Sequence, residues 1–311
     1  MEHFLGVDIG GTNTRLMLMN DQQVFQGYQK VPTRSWAELA DPLGGLEQLL
    51  AAYLQGTSAQ VSGVMLGLPG ILSRDRNTVL SLPFIPALDN QPVAKQLSAR
   101  LGLPVSMDKD VNHLMWWDLT RLDVLPDVAV GVYLGTGFGN SLWLNNDFYH
   151  GAHGGAGEIG HIPLKDNHLL CPCGKRGCVE TLTSGNWLSG WARQNAPQTA
   201  MSDLFVKHGE HPDLLEFIER LARTVASEMN ILDPQYLVLG GGVLSMTAFP
   251  IEELQQLIRS HLRSPHPANG LTIAISGVSD ETGCRGACLA AQRRFEQQRP
   301  SPRHFSLRRE A

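Results

Sequence analysis

Residues 4–21 read FLGVDIGGTNTRLMLMND, and residues 128–147 read VAVGVYLGTGFGNSLWLNND. Each stretch runs through an apolar segment, a corner of Gly and Thr, a second apolar segment and an Asn-Asp turn. Short aliphatic runs bounded by glycines are strand patterns, and the glycines between them reverse the chain. The same pattern met twice predicts an α/β chain built by duplication. Two lobes of one topology would each contribute a glycine hairpin to a cleft between them.

The rest of the chain extends both copies. QVFQGYQKV (23–31) adds a third strand and completes an antiparallel meander. Ser35 with Glu38 predicts a capping box that opens one helix through WAELADPLGGLEQLLAAYL, weakened at Gly44 and Gly45. VSGVMLGLPG (61–70) is a strand, PVAKQLSARLG (92–102) a helix closed by Gly102, and LPVSMDKDVN (103–112) a strand entering a polar corner. Later come a helix near 212–230, the strand YLVLGGGV (236–243), a helix near 250–263, the strand LTIAI and a closing helix from about 283 to 295. The expected division is a small lobe of residues 1–113 plus about 283–296 and a large lobe of residues 114–282. Residues 297–311 are polar, basic and proline-containing, the composition of a disordered tail.

At 311 residues the chain is long enough for two domains. Its formal net charge of -5 predicts no bulk attraction to nucleic acid or to an anionic membrane. The start lacks the basic region and long apolar run of a signal peptide, and no run approaches the roughly 20 apolar residues of a membrane span. A cytoplasmic protein is expected. Five cysteines then argue against a disulfide framework. Cys284 and Cys288 sit in the apolar stretch GCRGACLAA and read as small core residues.

The two hairpins, DIGGT (8–12) and LGTGFG (134–139), share a chemical logic. Gly10, Gly11, Gly135, Gly137 and Gly139 leave backbone N–H groups open to a phosphate, and Thr12, Asn13 and Thr136 add side-chain donors. Asp8, at a strand end, suits a magnesium ion held through water. Neither hairpin is a P-loop or a dinucleotide fingerprint. Gly241 and Gly242 in LGGGV (239–243) suit either the adenosine end of a nucleotide or close packing.

Residues 160–180, GHIPLKDNHLLCPCGKRGCVE, bring together His161, Cys171, Cys173 and Cys178. One imidazole and three thiolates make a closed tetrahedral set for a structural zinc. His168 is a competing imidazole nearer the cysteines. Glu158 and Glu180 flank the motif and can accept bonds from hydroxyl groups, although isolated glutamates are ordinary on any surface. Asp110 in DKDVN (108–112) suits a general base and equally suits the cap of a helix starting at Val111.

Taken together, DIGGT, LGTGFG and LGGGV resemble the two phosphate motifs and the adenosine motif of the actin-like sugar kinases. GAHGGAGEIGHIPL (151–164) followed by CPCGKRGCVET (171–181) resembles the signature of their ROK branch (repressors, open reading frames and sugar kinases), and the similarity runs from residue 4 to about 294. Within that branch, LPGILSRDRNTVLSLP (68–83), DKDVN, GHIPL and MTAFP (246–250) look most like bacterial D-allose kinases. The resemblance implies an actin-like ATPase (ribonuclease H-like) fold and ATP- and magnesium-dependent phosphoryl transfer to a hexose O6. It also implies a homodimer. It assigns the base to Asp110 and the sugar to Glu158, His161 and Glu180, with Gly70 and Lys109 also in the sugar site.

Two departures stand out from that family pattern. Lys109 replaces the usual Asn beside the base, and Phe84 stands in PFIP where the family has PNLP. Both argue against glucose, and the Lys109 departure fits D-allose, the C3 epimer of glucose. The alternatives are another hexose (fructose, mannose, glucose or N-acetylmannosamine) and a non-catalytic sugar-sensing regulator. The regulator reading is disfavoured because the first phosphate strand begins at residue 4 and both hairpins are intact.

Overall fold

The computed structural model describes residues 2–277 and 279–297. The first apolar run becomes β1 (Glu2–Ile9) and the second β2 (Asn13–Asn20), joined antiparallel, and β3 (Phe25–Pro32) completes the meander. β4 (Gln60–Leu68) pairs parallel with β1, and β7 (Val105–Lys109) parallel with β4. β5 (Ile71–Leu72) and β6 (Val79–Ser81) form a small separate hairpin. The second half repeats the plan with β8 (Val128–Leu134), β9 (Phe138–Leu144), β10 (Asp147–Phe148), β11 (Tyr236–Gly240) and β12 (Thr272–Ile275). The sheet orders are β3-β2-β1-β4-β7 and β10-β9-β8-β11-β12, the same connectivity twice. The duplication read from the two glycine corners is therefore present in the topology. β1 is buried almost continuously, as expected of a central strand covered on both faces.

Helices cover both sheets. α2 (Pro42–Gln55) and α3 (Val93–Leu101) pack on the outer face of the first sheet through Leu46, Leu50 and Leu97. α5 (Gly185–Asn195), α7 (Pro212–Leu232) and α8 (Ile251–Ser260) cover the second. On α7, Leu214, Phe217, Ile218, Leu221 and Val225 fall at helical spacing and are buried, each contributing roughly 1.5–3 kcal/mol by leaving water. α9 (Thr282–Gln297) lies on β1, β2 and β4, whereas α4 (Asp110–Leu122) packs Met115 and Leu119 against Ala129, Tyr133 and Trp143 of the second sheet. α4 and α9 also pack on each other, so they form the layer between the sheets. A Cβ at Gly6 would lie 2.6 Å from the Cys288 backbone nitrogen, so α9 rides directly on β1. That close approach accounts for Cys284 and Cys288, both fully buried and both free thiols, as expected.

The expected helix from residue 36 to 54 is broken. A single turn, α1 (Arg34–Ala37), ends at Glu38, and Ser35 donates its hydroxyl to Pro32 O instead of capping. The real start is Asp41, whose carboxylate accepts the Gly44 N–H at 3.0 Å, with Pro42 in the first helical position. An Asp-Pro start outweighed the capping-box pattern because Pro fixes the first helical φ and needs no donor. Gly45 is then explained by packing, since a Cβ there would press on the Trp36 carbonyl at 2.8 Å. Gly102 closes α3 in the left-handed region as read, at φ 66°. α6 (Leu204–His208) is a short helix that the sequence reading did not contain. The expected tail lies, from residue 298, outside the described residues. Among the described residues no helix is long and apolar enough to cross a membrane.

Candidate active site

β1, β4 and β7 run parallel, so their carboxyl ends gather at one edge of the first sheet. Asp8 pairs with Gly67, and Gly67 with Asp108, in one line across that edge. Lys109 and Asp110 follow directly. In open α/β sheets this edge is where ligands bind. The second sheet gathers Gly135 and Thr136 after β8, and Gly241 and Gly242 after β11, in the same way.

Asp110 is the first residue of α4, and its Oδ1 accepts the Val111 N–H at 2.8 Å. The residue in the capping position is Lys109, which makes no side-chain cap. Burial pushes the Asp110 carboxyl up to about 6; the charge of Asp8 adds to this, the Val111 N–H and Lys109 oppose it, and Glu158 adds again. Asp8 is raised by its own burial, against the pull of Arg15, whose Nη1 lies 3.2 Å from its Oδ2. The two carboxylates thus face a shared, partly desolvated edge.

Lys109 is only 8% exposed. Its Nζ donates to Ala156 O at 3.2 Å, Gly157 O at 3.1 Å and Glu158 Oε1 at 2.7 Å. Asp108 accepts from the Lys109 N–H and Asn112 Nδ2, and pairs with Arg76 Nε at 3.3 Å. Glu158 Oε2 lies 3.5 Å from His161 Nε2. Glu180 Oε2 accepts the Phe138 N–H at 2.8 Å and stands 2.7 Å from where a Gly137 Cβ would be. Glu180 therefore touches the second glycine hairpin as well as the cysteine motif. Gly70 packs against the Ser81 carbonyl in the β5–β6 hairpin.

The metal motif folds as a tight knuckle. Cys171 N–H donates to Lys175 O, Gly174 N–H to Cys171 O, and Gly174 and Gly177 take φ values of 90° and 83° that favour glycine. The ligand atoms of His161, Cys171, Cys173 and Cys178 all lie within 4.8 Å of one another. Cys173 Sγ and Cys178 Sγ are 3.6 Å apart, close to the edge of about 3.8 Å that Zn–S bonds of about 2.3 Å give a tetrahedron. His161 Nδ1 faces Cys171 Sγ at 3.6 Å, leaving Nε2 for Glu158. His168 is exposed and outside this cluster. The donor set and spacing fit zinc. The knuckle also ties the two acidic segments together, because Val179 N–H donates to Ile162 O and Leu164 N–H to Gly177 O.

Both glycine hairpins are braced from behind. In the first, Gly10 N–H donates to Asn13 O, while Thr33 donates its N–H to Thr12 O and its hydroxyl to Gly10 O. Gly11 and Thr12 are exposed, and the ring of Phe84 lies about 3.2 Å from a Cβ at Gly11. Phe84 therefore lies against the first hairpin. In the second, the Gly135 and Thr136 carbonyls accept N–H groups from Gly185 and Asn186 at the start of α5. Gly139 packs on Val111. Cβ atoms at Gly135 and Gly242 would meet nothing within 4 Å, whereas Gly241, at φ 98°, is pressed on Leu134. Gly135 and Gly242 thus border free space, whereas Gly241 is closely packed.

The sequence profile of the ROK family matches residues 4–294. The chain belongs to the ROK family. It is 30% identical to an N-acetyl-D-glucosamine kinase of Haemophilus influenzae over 310 residues, which covers 91% of this chain and 97% of that one. Its fold matches a ROK family glucokinase from Streptomyces griseus, solved with glucose and AMPPNP, at a TM-score of 0.75 and 25% identity. That match covers 94% of this chain and 99% of the other. A ROK family transcriptional regulator shares the fold at a TM-score of 0.78 and 20% identity, covering 95% of this chain and 79% of the regulator. The chain has the actin-like ATPase fold of the ROK sugar kinases.

Several groups of this ROK site carry no sequence signal. Arg76, in the left-handed region at φ 59°, links Asp108 to His150 of the glycine-rich loop. Glu228 of α7 accepts from Asn140 Nδ2 at 3.0 Å. Burial pushes its carboxyl up to about 7, against that hydrogen bond and the charge of Lys109. Arg15, the partner of Asp8, could have been found by strand pairing alone, since Asp8 and Arg15 face each other in the hairpin register.

Proposed function

We propose that this ROK-family sugar kinase transfers the γ-phosphoryl group of ATP to the 6-hydroxyl of a hexose, D-allose first, with Asp110 as the general base. The observation that carries the reading is the placement of Asp110. It stands next to Lys109, which is bonded to Glu158, and it shares the strand-end edge with Asp8 and the first glycine hairpin. Phosphoryl transfer depends mainly on positioning and charge stabilisation, so a site needs few reacting side chains. Asp110 would orient the sugar hydroxyl and accept its proton. Glu158, His161 and Glu180 would hold the other hydroxyls, and a carboxylate left unpaired by the wrong epimer would be costly. Magnesium, held through water by Asp8, would neutralise the phosphate charge. Zinc on His161, Cys171, Cys173 and Cys178 would be structural, with no coordination position left for substrate.

D-Allose is supported by the resemblance in residues 68–83 and by Lys109 in place of Asn. N-acetyl-D-glucosamine is the second reading, supported by the Haemophilus influenzae relative. We extend the proposal to a homodimer and to the division into residues 1–113 with about 283–296 and residues 114–282. The packing of α9 on the first sheet and of α4 on the second supports that division.

A hexose panel with Mg-ATP and coupled detection of ADP tests the substrate. The expected result is the highest kcat/KM for D-allose. The highest value for N-acetyl-D-glucosamine would transfer the assignment to that sugar. Binding of a sugar without ADP release would favour a regulator and sink the kinase reading.

The base also predicts a pH dependence. Asp110 acts deprotonated, and its carboxyl is raised to about 6. Activity is therefore present above that value and lost as pH falls through it. A profile of kcat/KM from about pH 5 to about pH 8 should rise with an apparent pKa near 6. A flat profile across that range would contradict the assignment.

A further inference from the structure

We propose that Lys109 is a positioning residue that fixes the sugar-reading carboxylate of Glu158 and thereby sets hexose selectivity; the inference rests on the kinase reading above. A lysine ammonium has three N–H donors and no acceptor. Lys109 commits all three, to Ala156 O, Gly157 O and Glu158 Oε1. An unbranched cation in that position leaves no donor to offer a sugar, so its influence on the sugar passes through Glu158.

The arrangement is built from both sides. Lys109 stands at the end of β7 beside Asp110, where Asp108 Oδ1 holds its backbone N–H at 2.8 Å. The loop that it grips carries Gly157 at φ 71°, with Asn140 O only 2.8 Å from a would-be Cβ. A side chain at 157 would push the loop off β9 and pull its carbonyl from Lys109. Asn140 is in turn held by Glu228 of α7. Base and reader are thus fixed to each other through a single residue.

The consequence is stereochemical. With Oε1 bound at 2.7 Å by a charged donor, Glu158 presents Oε2 in one direction, beside His161 Nε2. A hydroxyl placed to meet Oε2 is accepted, and its epimer leaves that oxygen desolvated and unpaired. Without Lys109 the carboxylate can rotate and accept either.

The test is steady-state kinetics of K109M, E158Q and the double variant on the zinc-loaded enzyme with Mg-ATP and the hexose panel. K109M is expected to raise the KM for the preferred hexose about 10-fold or more and to narrow its preference over the C3 epimer. Its KM for Mg-ATP should stay within about 3-fold of wild type, while loss of the Lys109 charge that opposes the burial of Asp110 should move the acid limb of the pH profile upward. The double variant should be no worse than E158Q alone, because the two residues act as one unit. A K109M enzyme with the wild-type hexose KM and selectivity, or effects that add in the double variant, would overturn the inference while leaving the kinase reading intact. Absence of hexose turnover in the wild type would overturn the kinase reading itself. Should K109M not fold, K109R carries the test, because a planar guanidinium cannot reproduce the three-way grip. A raised hexose KM in K109R supports the inference, and an unchanged one overturns it.

Discussion

Replacing Asp110 by Asn is expected to lower hexose-dependent turnover of Mg-ATP about 10²- to 10⁴-fold, the range supplied by a positioned general base. The amide keeps the size of the side chain, and its carbonyl oxygen can still accept the Val111 N–H. The start of α4 should therefore stand, and the melting temperature should change little. What disappears is the proton acceptor. The hexose KM should move far less than kcat, since Glu158, His161 and Glu180 are untouched. Measured kcat, hexose KM and thermal unfolding on the same preparation separate these outcomes. Wild-type kcat in D110N would remove Asp110 from the chemistry and reduce it to a helix-terminal carboxylate.

Removing the zinc ligand set is expected to have the second large effect. Structural zinc sites in small peptides bind with about 10–16 kcal/mol, and that energy holds the fold of the segment around them. Here the segment carries His161 and ends beside Glu180, with Glu158 three residues before the imidazole. C171S, or stripping with a strong chelator, should therefore lower thermal stability and raise the hexose dissociation constant at least about 10-fold, a loss of about 1.4 kcal/mol. Nucleotide binding should weaken less. Glu180 does reach the second hairpin through Phe138 N–H, but that hairpin is also braced by α5 through Gly185 and Asn186. Metal analysis, thermal unfolding and calorimetric titration with hexose and with nucleotide are the measurements. A folded, zinc-free protein with unchanged hexose affinity would break the link between the metal and the sugar site.

The glycine corners at Gly10–Gly11 and Gly135–Gly137 were legible because a strand must turn there, and their repetition carried the duplicated topology with it. His161 and the three cysteines were legible because thiolates and an imidazole at that spacing point to a metal set, and the four do come together. Helix starts were less so. Ser35 and Glu38 satisfy the capping-box pattern, yet Asp41-Pro42 prevails, since local patterns compete and Pro42 fits the first helical position. The partner of Lys109 was not legible at all. Glu158 lies 49 residues away, on a loop brought to β7 only by the packing of the two halves. Arg76, His150 and Glu228 were missed for the same reason, because pairings between distant segments leave no periodic trace.

Transfer of a phosphoryl group from ATP to the 6-hydroxyl of a hexose is the reaction proposed for this site. Its most direct test follows ADP release from Mg-ATP by the zinc-loaded wild type, with D-allose or N-acetyl-D-glucosamine set against the 6-deoxy analogue of each. The expected result is one ADP per hexose phosphorylated and no release above background with either 6-deoxy sugar. Equal release with a hexose and its 6-deoxy analogue, or no hexose-dependent release from any sugar of the panel, would contradict it.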